Sequence, residues 1–292
     1  MSLLEAKGAR VVIDGAVVIE SLTFATRGDR VIVIGDAEGL MAVLTGAPRG
    51  TNGQRARLAG GELALQGHDV STGAHRAIAG LAPRDLPLWN RWSVQDYLVW
   101  NARLMGYRPR AARARALAVL ELLGLQDGRK RRLSTLTLVA KRALALAAAL
   151  LNEPKVVVIE SPFEEVDAQG RAYLEGLVMR ATTGRAAIVS LAELANAPEA
   201  LLQQASDAVV MRDGRLLAHD TPGALLGGAR LFEVAVARGA DALRAELANT
   251  GLELSGGPVH FVLRLPEGKS PSDLLAAAAR ARAAVLTCAP MF

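Results

Sequence analysis

Residues 155–159 read Lys-Val-Val-Val-Ile, a β-branched run with no polar alternation. A strand that is apolar on both faces belongs inside a parallel sheet covered by helices. The residues before it, 138–151, are almost all alanine and leucine. These are strong helix formers with apolar side chains all round, so they predict a helix buried on most sides. Asn152-Glu153-Pro154 separates helix from strand, because proline cannot continue the helical ladder and biases the residue before it towards extended backbone. Glu160 follows at the carboxyl end of the strand, where open α/β sheets place their ligands.

The chain of 292 residues, 51% hydrophobic and 22% charged, is long enough for one large or two ordinary domains and is too apolar for general disorder. Cys288 is the lone cysteine, which excludes a disulfide framework and a thiolate metal site. The four histidines lie far apart without ligand spacing, so no metal site is expected. Residues 1–10 lack the apolar core of a signal peptide. The uncharged run 143–152 is far shorter than the roughly 20 residues of a membrane span, so a cytoplasmic chain is expected. The net charge of +5 comes from arginines scattered through 108–115 and clustered at 129–132. Such a patch suits nucleic acid or an anionic leaflet, or is the solvent face of surface helices; the last is the reading taken here. No aromatic interleaving supports a nucleic-acid site.

Along the chain, 9–13 and 16–24 are apolar, β-rich segments joined by the hairpin signal Asp14-Gly15. Residues 30–35 form a second strand apolar on both faces, leading into Gly35-Asp36-Ala37-Glu38-Gly39-Leu40-Met41-Ala42. Asp36 and Glu38 place two carboxylates near the start of a helix, where N–H groups and the macrodipole favour negative charge. A link at 47–61, rich in glycine and arginine, precedes a strand at 62–66. Residues 77–81 then lead to Ala82-Pro83-Arg84. Residues 87–142 read as helical, with amphipathic helices at 94–105 and 108–123. All three tryptophans stand at the start of this part; Trp100 is expected in the core and Trp89 or Trp92 at a partner contact. A helix at 168–182, a strand at 186–190 and a hairpin over 208–219 follow. Beyond Thr221-Pro222-Gly223, strands at 232–236, 259–265 and 284–287 alternate with helices at 240–249 and 272–283.

This order resembles the ATP-binding-cassette (ABC) ATPases. Leu136-Thr137-Leu138-Val139 stands where that family has its leucine-serine-glycine-glycine signature, Glu160-Ser161-Pro162 where the Walker B strand ends in an acidic pair, and Val166-Asp167 at the D-loop. Residues 35–39 stand at the phosphate loop G-x-x-x-x-G-K-[ST], without its lysine and hydroxyl. Arg84 replaces the Q-loop glutamine, and Ala192 the switch histidine. The resemblance implies an α/β, P-loop NTPase-like (RecA-like) core with an antiparallel β subdomain and a helical subdomain at about 87–142, together spanning 1–225. It also implies a small C-terminal α/β domain at 230–292 like that of the ABC-2 exporter class. In the family the region around Trp89 and Trp92 meets the membrane subunit. The departures at the catalytic positions lead to the expectation of no enzyme, no bound ATP or magnesium, and no catalytic residue. The partners expected are an ABC-2 type permease and a catalytic ABC subunit in a hetero-oligomer, or a homodimer, on the inner face of the plasma membrane. The alternatives are a half-site subunit supporting hydrolysis by a partner, and a free-standing regulator.

Overall fold

The computed structural model describes residues 2–49, 53–86, 91–193, 197–227, 230–257, 259–266 and 269–290. In chain order the first elements are β1 (Leu4–Ile13), β2 (Ala16–Ala25), β3 (Arg30–Gly35), α1 (Glu38–Thr45), β4 (Pro48–Arg49), β5 (Gln54–Arg55), β6 (Arg57–Leu65), β7 (His68–Asp69) and β8 (Ala79–Ala82). The helices α2 (Val94–Leu104), α3 (Pro109–Leu123) and α4 (Leu138–Ala149) follow, then β9 (Val156–Ile159), α5 (Ala168–Thr182), β10 (Ala186–Leu191), α6 (Glu199–Gln204), β11 (Asp207–Arg212) and β12 (Arg215–Asp220). The last are α7 (Pro222–Gly227), β13 (Arg230–Arg238), α8 (Ala240–Ala248), β14 (Glu253–Gly256), β15 (His260–Leu265), α9 (Pro271–Ala281) and β16 (Ala284–Pro290).

The central sheet has the order β12-β11-β3-β10-β9-β8, parallel except for the β11–β12 hairpin. Its strands are apolar on both faces because both are covered. Ile32 and Ile34 of β3 join Val157, Ile159 and Val189 in a core shared with α4, α5 and the helical layer. Val31 and Val33, one residue out of phase, join Val156, Val158 and Ile188 in a second core with α1 and the antiparallel sheet β2-β1-β6-β7. At the β1–β2 turn Asp14 and Gly15 both take positive φ, 56° and 79°, as a tight hairpin demands. Strand β6 begins at Arg57, within what the sequence suggests is a link. It pairs with β1 across an irregular stretch in which a Cβ on Gly61 would lie 2.1 Å from the Gly8 carbonyl. A glycine-rich strand is legible only through its partner.

Thr137 caps α4 through a bond from the Ala140 N–H. Ser93 and Asp96 form a reciprocal capping box on α2. The core side of α2 is Val94, Tyr97, Leu98 and Ala102, a helical spacing that turns Trp100 outward. The expectation of a core Trp100 is therefore wrong: it is 40% exposed and stands edge-on to half-buried Trp92 at 5.6 Å.

The sheet β14-β15-β13-β16 carries α8 and α9 on one face, with a cluster of its own that includes Val234, Leu243, Phe261, Leu263 and Leu274. Polar links run to the β11–β12 hairpin: Arg212 pairs with Glu233, Arg264 with Asp220 at 3.6 Å, and Arg215 donates to the Gly257 carbonyl at 3.3 Å. Strand β14 and helices α6 and α7 were not foreseen from sequence; each has six residues or fewer, below the span at which periodicity is readable.

Candidate functional site

Loops at the carboxyl ends of β3, β8, β9 and β10 surround one cavity of about 560 Å³. It is lined by Gly35, Asp36, Ala37, Glu38 and Met41, by Arg84 and Asp85, by Glu160, Ser161 and Glu164, and by Ser190 and Ala192. Positions spread over more than 150 residues thus meet at the mouth of a parallel sheet.

Gly35 has φ of 85°, and a Cβ there would lie 2.2 Å from the Met211 carbonyl. The Asp36 N–H donates to that same carbonyl at 3.0 Å. Its carboxylate accepts from the Asp213 N–H at 3.3 Å and does not cap α1, whose N-cap is Ala37 without a side-chain bond. Glu38 is the acid of the first turn, and Gly39 is packed so that a Cβ would come within 2.9 Å of Val18.

Arg84 is the cation in the lining. Its guanidinium pairs with Glu164 at 2.9 Å and Glu165 at 2.6 Å, and its backbone N–H donates to Glu160 Oε2 at 3.1 Å. Glu160, 4% exposed, is held a second time where its own N–H donates to the Ala82 carbonyl at 2.9 Å. Behind this group Arg142, 3% exposed, donates to the Arg84 carbonyl, while its Nε has no hydrogen-bond partner among the described residues. Burial pushes the Arg142 guanidinium below its ordinary value, against the pull of Asp85, Glu164 and Glu160. Ser161, with φ of 43°, donates its N–H to Ser190 Oγ at 3.0 Å and so ties the ends of β9 and β10 together.

The remaining sequence candidates lie elsewhere. Leu136, Thr137 and Val139 line a separate, mostly apolar cavity of about 360 Å³ with Leu120 and Tyr173, and Leu138 opens α4. Asp167 caps α5, accepting from the Gly170 N–H at 2.7 Å, and Val166 packs on the main core. Trp89 falls outside the described residues. Asp85, Glu164 and Ser190 were missed as lining residues, since no local pattern marks them.

The Asp36 and Ala37 N–H groups are spent on the Met211 and Gly35 carbonyls, so the backbone donors that a phosphate would meet here are those of the first turn of α1. Among the described residues no three of His, Cys, Asp or Glu converge to hold a metal ion alone. Magnesium delivered with a nucleotide keeps waters and phosphate oxygens and takes only one or two carboxylates, and Asp36, Glu38 and Glu160 are among those lining the cavity.

No protein-family model matches the sequence. The chain is 29% identical over 225 residues to the Fe(3+) ions import ATP-binding protein FbpC of Streptomyces coelicolor, covering 76% of this chain and 62% of that protein. It is 30% identical over 193 residues to the Nod factor export ATP-binding protein I of Burkholderia orbicola, covering 64% and 62%. The chain therefore spans about three fifths of the length of either relative. A solved ATP-binding subunit of an ABC transporter superposes with a TM-score of 0.58 at 16% identity, covering 94% of this chain and 98% of that one. The fold is that of an ABC ATPase domain, P-loop NTPase-like with mixed and antiparallel sheets. In sequence the chain is similar to ATP-binding subunits of ABC transporters.

These relatives overturn two expectations. Both are named for ATP binding, which contradicts the expectation of no ATP or magnesium and, with it, that of no enzyme. The physical reason is that a phosphate cradle rests largely on backbone N–H groups, which the side chains at 40, 41 and 84 do not report.

Proposed function

We propose that the chain is an ATP-binding subunit of an ABC transporter of the ABC-2 exporter class, paired with a second ABC subunit and a membrane permease. The observation that carries this is the single cavity where the Gly35 turn, Glu160 and the ends of four strands meet. The export relative and the α/β unit at 230–292, which has its own apolar cluster, support the exporter class and a two-domain chain divided near 225–230. No helix among the described residues is long and apolar enough to cross a membrane, in keeping with a subunit that reaches it through a permease.

In this reading the N–H groups at the start of α1 and the Arg84 guanidinium face the phosphates, and Asp36, Glu38 or Glu160 supplies the protein ligand to magnesium. The ion neutralises phosphate charge where carboxylates crowd the site. Five carboxylates line the cavity against one guanidinium, so ATP affinity is expected to drop at least about tenfold when EDTA removes magnesium. Calorimetry with ATP in both buffers tests this. No heat in either buffer, or equal affinity in both, would remove the proposal.

We place the permease contact at the Trp92–Trp100 pair. Trp100→Ala is expected to weaken copurification with the permease about 30-fold, the measure of a buried tryptophan anchor. It should leave the melting temperature nearly unchanged, because the ring is 40% exposed. Trp92 packs on the core, so Trp92→Ala should lower both, and undiminished recruitment of Trp100→Ala would move the contact elsewhere.

A further inference from the structure

The excess positive charge of this protein lies in one segment. Residues 91–142 hold twelve lysines and arginines against three acids, while the whole chain is only +5, so the remainder is net negative. Within that segment the turn between α2 and α3 is the most exposed apolar point: Leu104 is 69% and Met105 44% exposed. Arg103 in the last turn of α2 and Arg108 and Arg110 at the start of α3 flank them in the chain, all exposed, and none has an ion pair or hydrogen-bond partner for its guanidinium among the described residues. The turn itself is tight, with Gly106 at φ of 95° and its N–H on the Arg103 carbonyl at 3.0 Å. The tip therefore carries two exposed apolar side chains, flanked by three exposed cations without partners among the described residues.

We infer that this hairpin tip binds the surface of an anionic lipid bilayer directly, in addition to any permease contact. An apolar tip gains by entering the boundary between headgroups and acyl chains. Arginines beside it can lay their stems on that boundary and keep their charge among the phosphates. A protein partner would need an acidic site shaped to this tip, whereas an anionic bilayer offers negative charge and an apolar boundary to any exposed tip. Each basic group near an anionic surface adds to the attraction, which fades within a Debye length and so weakens in salt.

The test is cosedimentation of the full chain with vesicles of phosphatidylglycerol or of phosphatidylcholine alone. Binding is expected to the first and not to the second, and to weaken in high salt. The combined variant Arg103→Gln, Arg108→Gln, Arg110→Gln should lower the affinity about a hundredfold, and Leu104→Ser with Met105→Ser at least about tenfold. All five residues are exposed, so both variants should melt like the wild type. Leu275→Ser with Leu286→Ser, at sites 55% and 66% exposed outside the basic segment, should bind as the wild type does. Equal binding to both lipids, or wild-type binding by the arginine variant, overturns the inference. So does failure to bind vesicles while the hairpin captures RNA or an acidic protein.

Discussion

Asp207→Ala is expected to destabilise the protein by about 3 kcal/mol, since bonds to a charged acceptor contribute roughly 1.5 to 3 kcal/mol each and their loss leaves donors without partners. Asp207 opens β11 and is fully buried. Its carboxylate accepts from the backbone N–H of Arg27 at 3.1 Å and of Gly28 at 3.0 Å, and the His219 Nε2 lies 2.9 Å away. It thereby clamps the turn that feeds β3, and β3 ends on the Gly35 turn of the cavity. Burial alone would raise this carboxyl; the Arg27 and Gly28 N–H groups, with His219 and Ser206, hold it below its ordinary value. A depressed carboxyl stabilises fully above its unfolded value, about 3.9, and the contribution is lost as pH falls through the lower folded value. Urea melts of wild type and Asp207→Asn should therefore differ most at neutral pH and converge in acid. A gap unchanged in acid would show that shape, and not charge, is what the site needs.

The parts of this fold that could be read in the sequence are those where burial leaves a local signature. The valines of 156–158, the alternating faces of β3 and the alanine-leucine helix each declare a covered surface. Asp14-Gly15 declares a turn. The cavity positions 35–38, 84, 160, 161 and 192 were found because a family resemblance aligned them, and the structure brings them to one mouth. What could not be read is pairing at a distance. Arg84 meets Glu164 across 80 positions, and Asp207 meets Arg27 across 180, with nothing in either segment to name the other. Trp100 shows the converse error: a large apolar ring suggests the core, yet the spacing of Tyr97, Leu98 and Ala102 decides which way the helix faces. The side chains at 36–42 led to the expectation of no bound ATP, which the relatives contradict, because such side chains say little about backbone N–H donors.

Under the proposed function Glu160→Gln should lower ATP turnover at least about a hundredfold, the lower bound for losing a positioned general base. Glu160 is suited to take a proton from attacking water because it is the buried carboxylate at the end of the interior strand β9, lining the cavity. Glutamine keeps the carbonyl oxygen that accepts the Arg84 N–H, so the loop after β8 should keep its place and ATP affinity should change by less than about threefold. Basicity alone is removed, which puts the loss in the rate and not in binding. Glu164→Gln is the control: it removes an ion pair of Arg84, and a partly exposed pair is worth about 1 kcal/mol or less, so turnover should fall less than about tenfold. Steady-state ATPase rates of the chain assembled with its partners, alongside calorimetric affinities, separate the two. Wild-type turnover in Glu160→Gln would move the base to another group, and equal losses in both variants would reduce Glu160 to a holder of the loop.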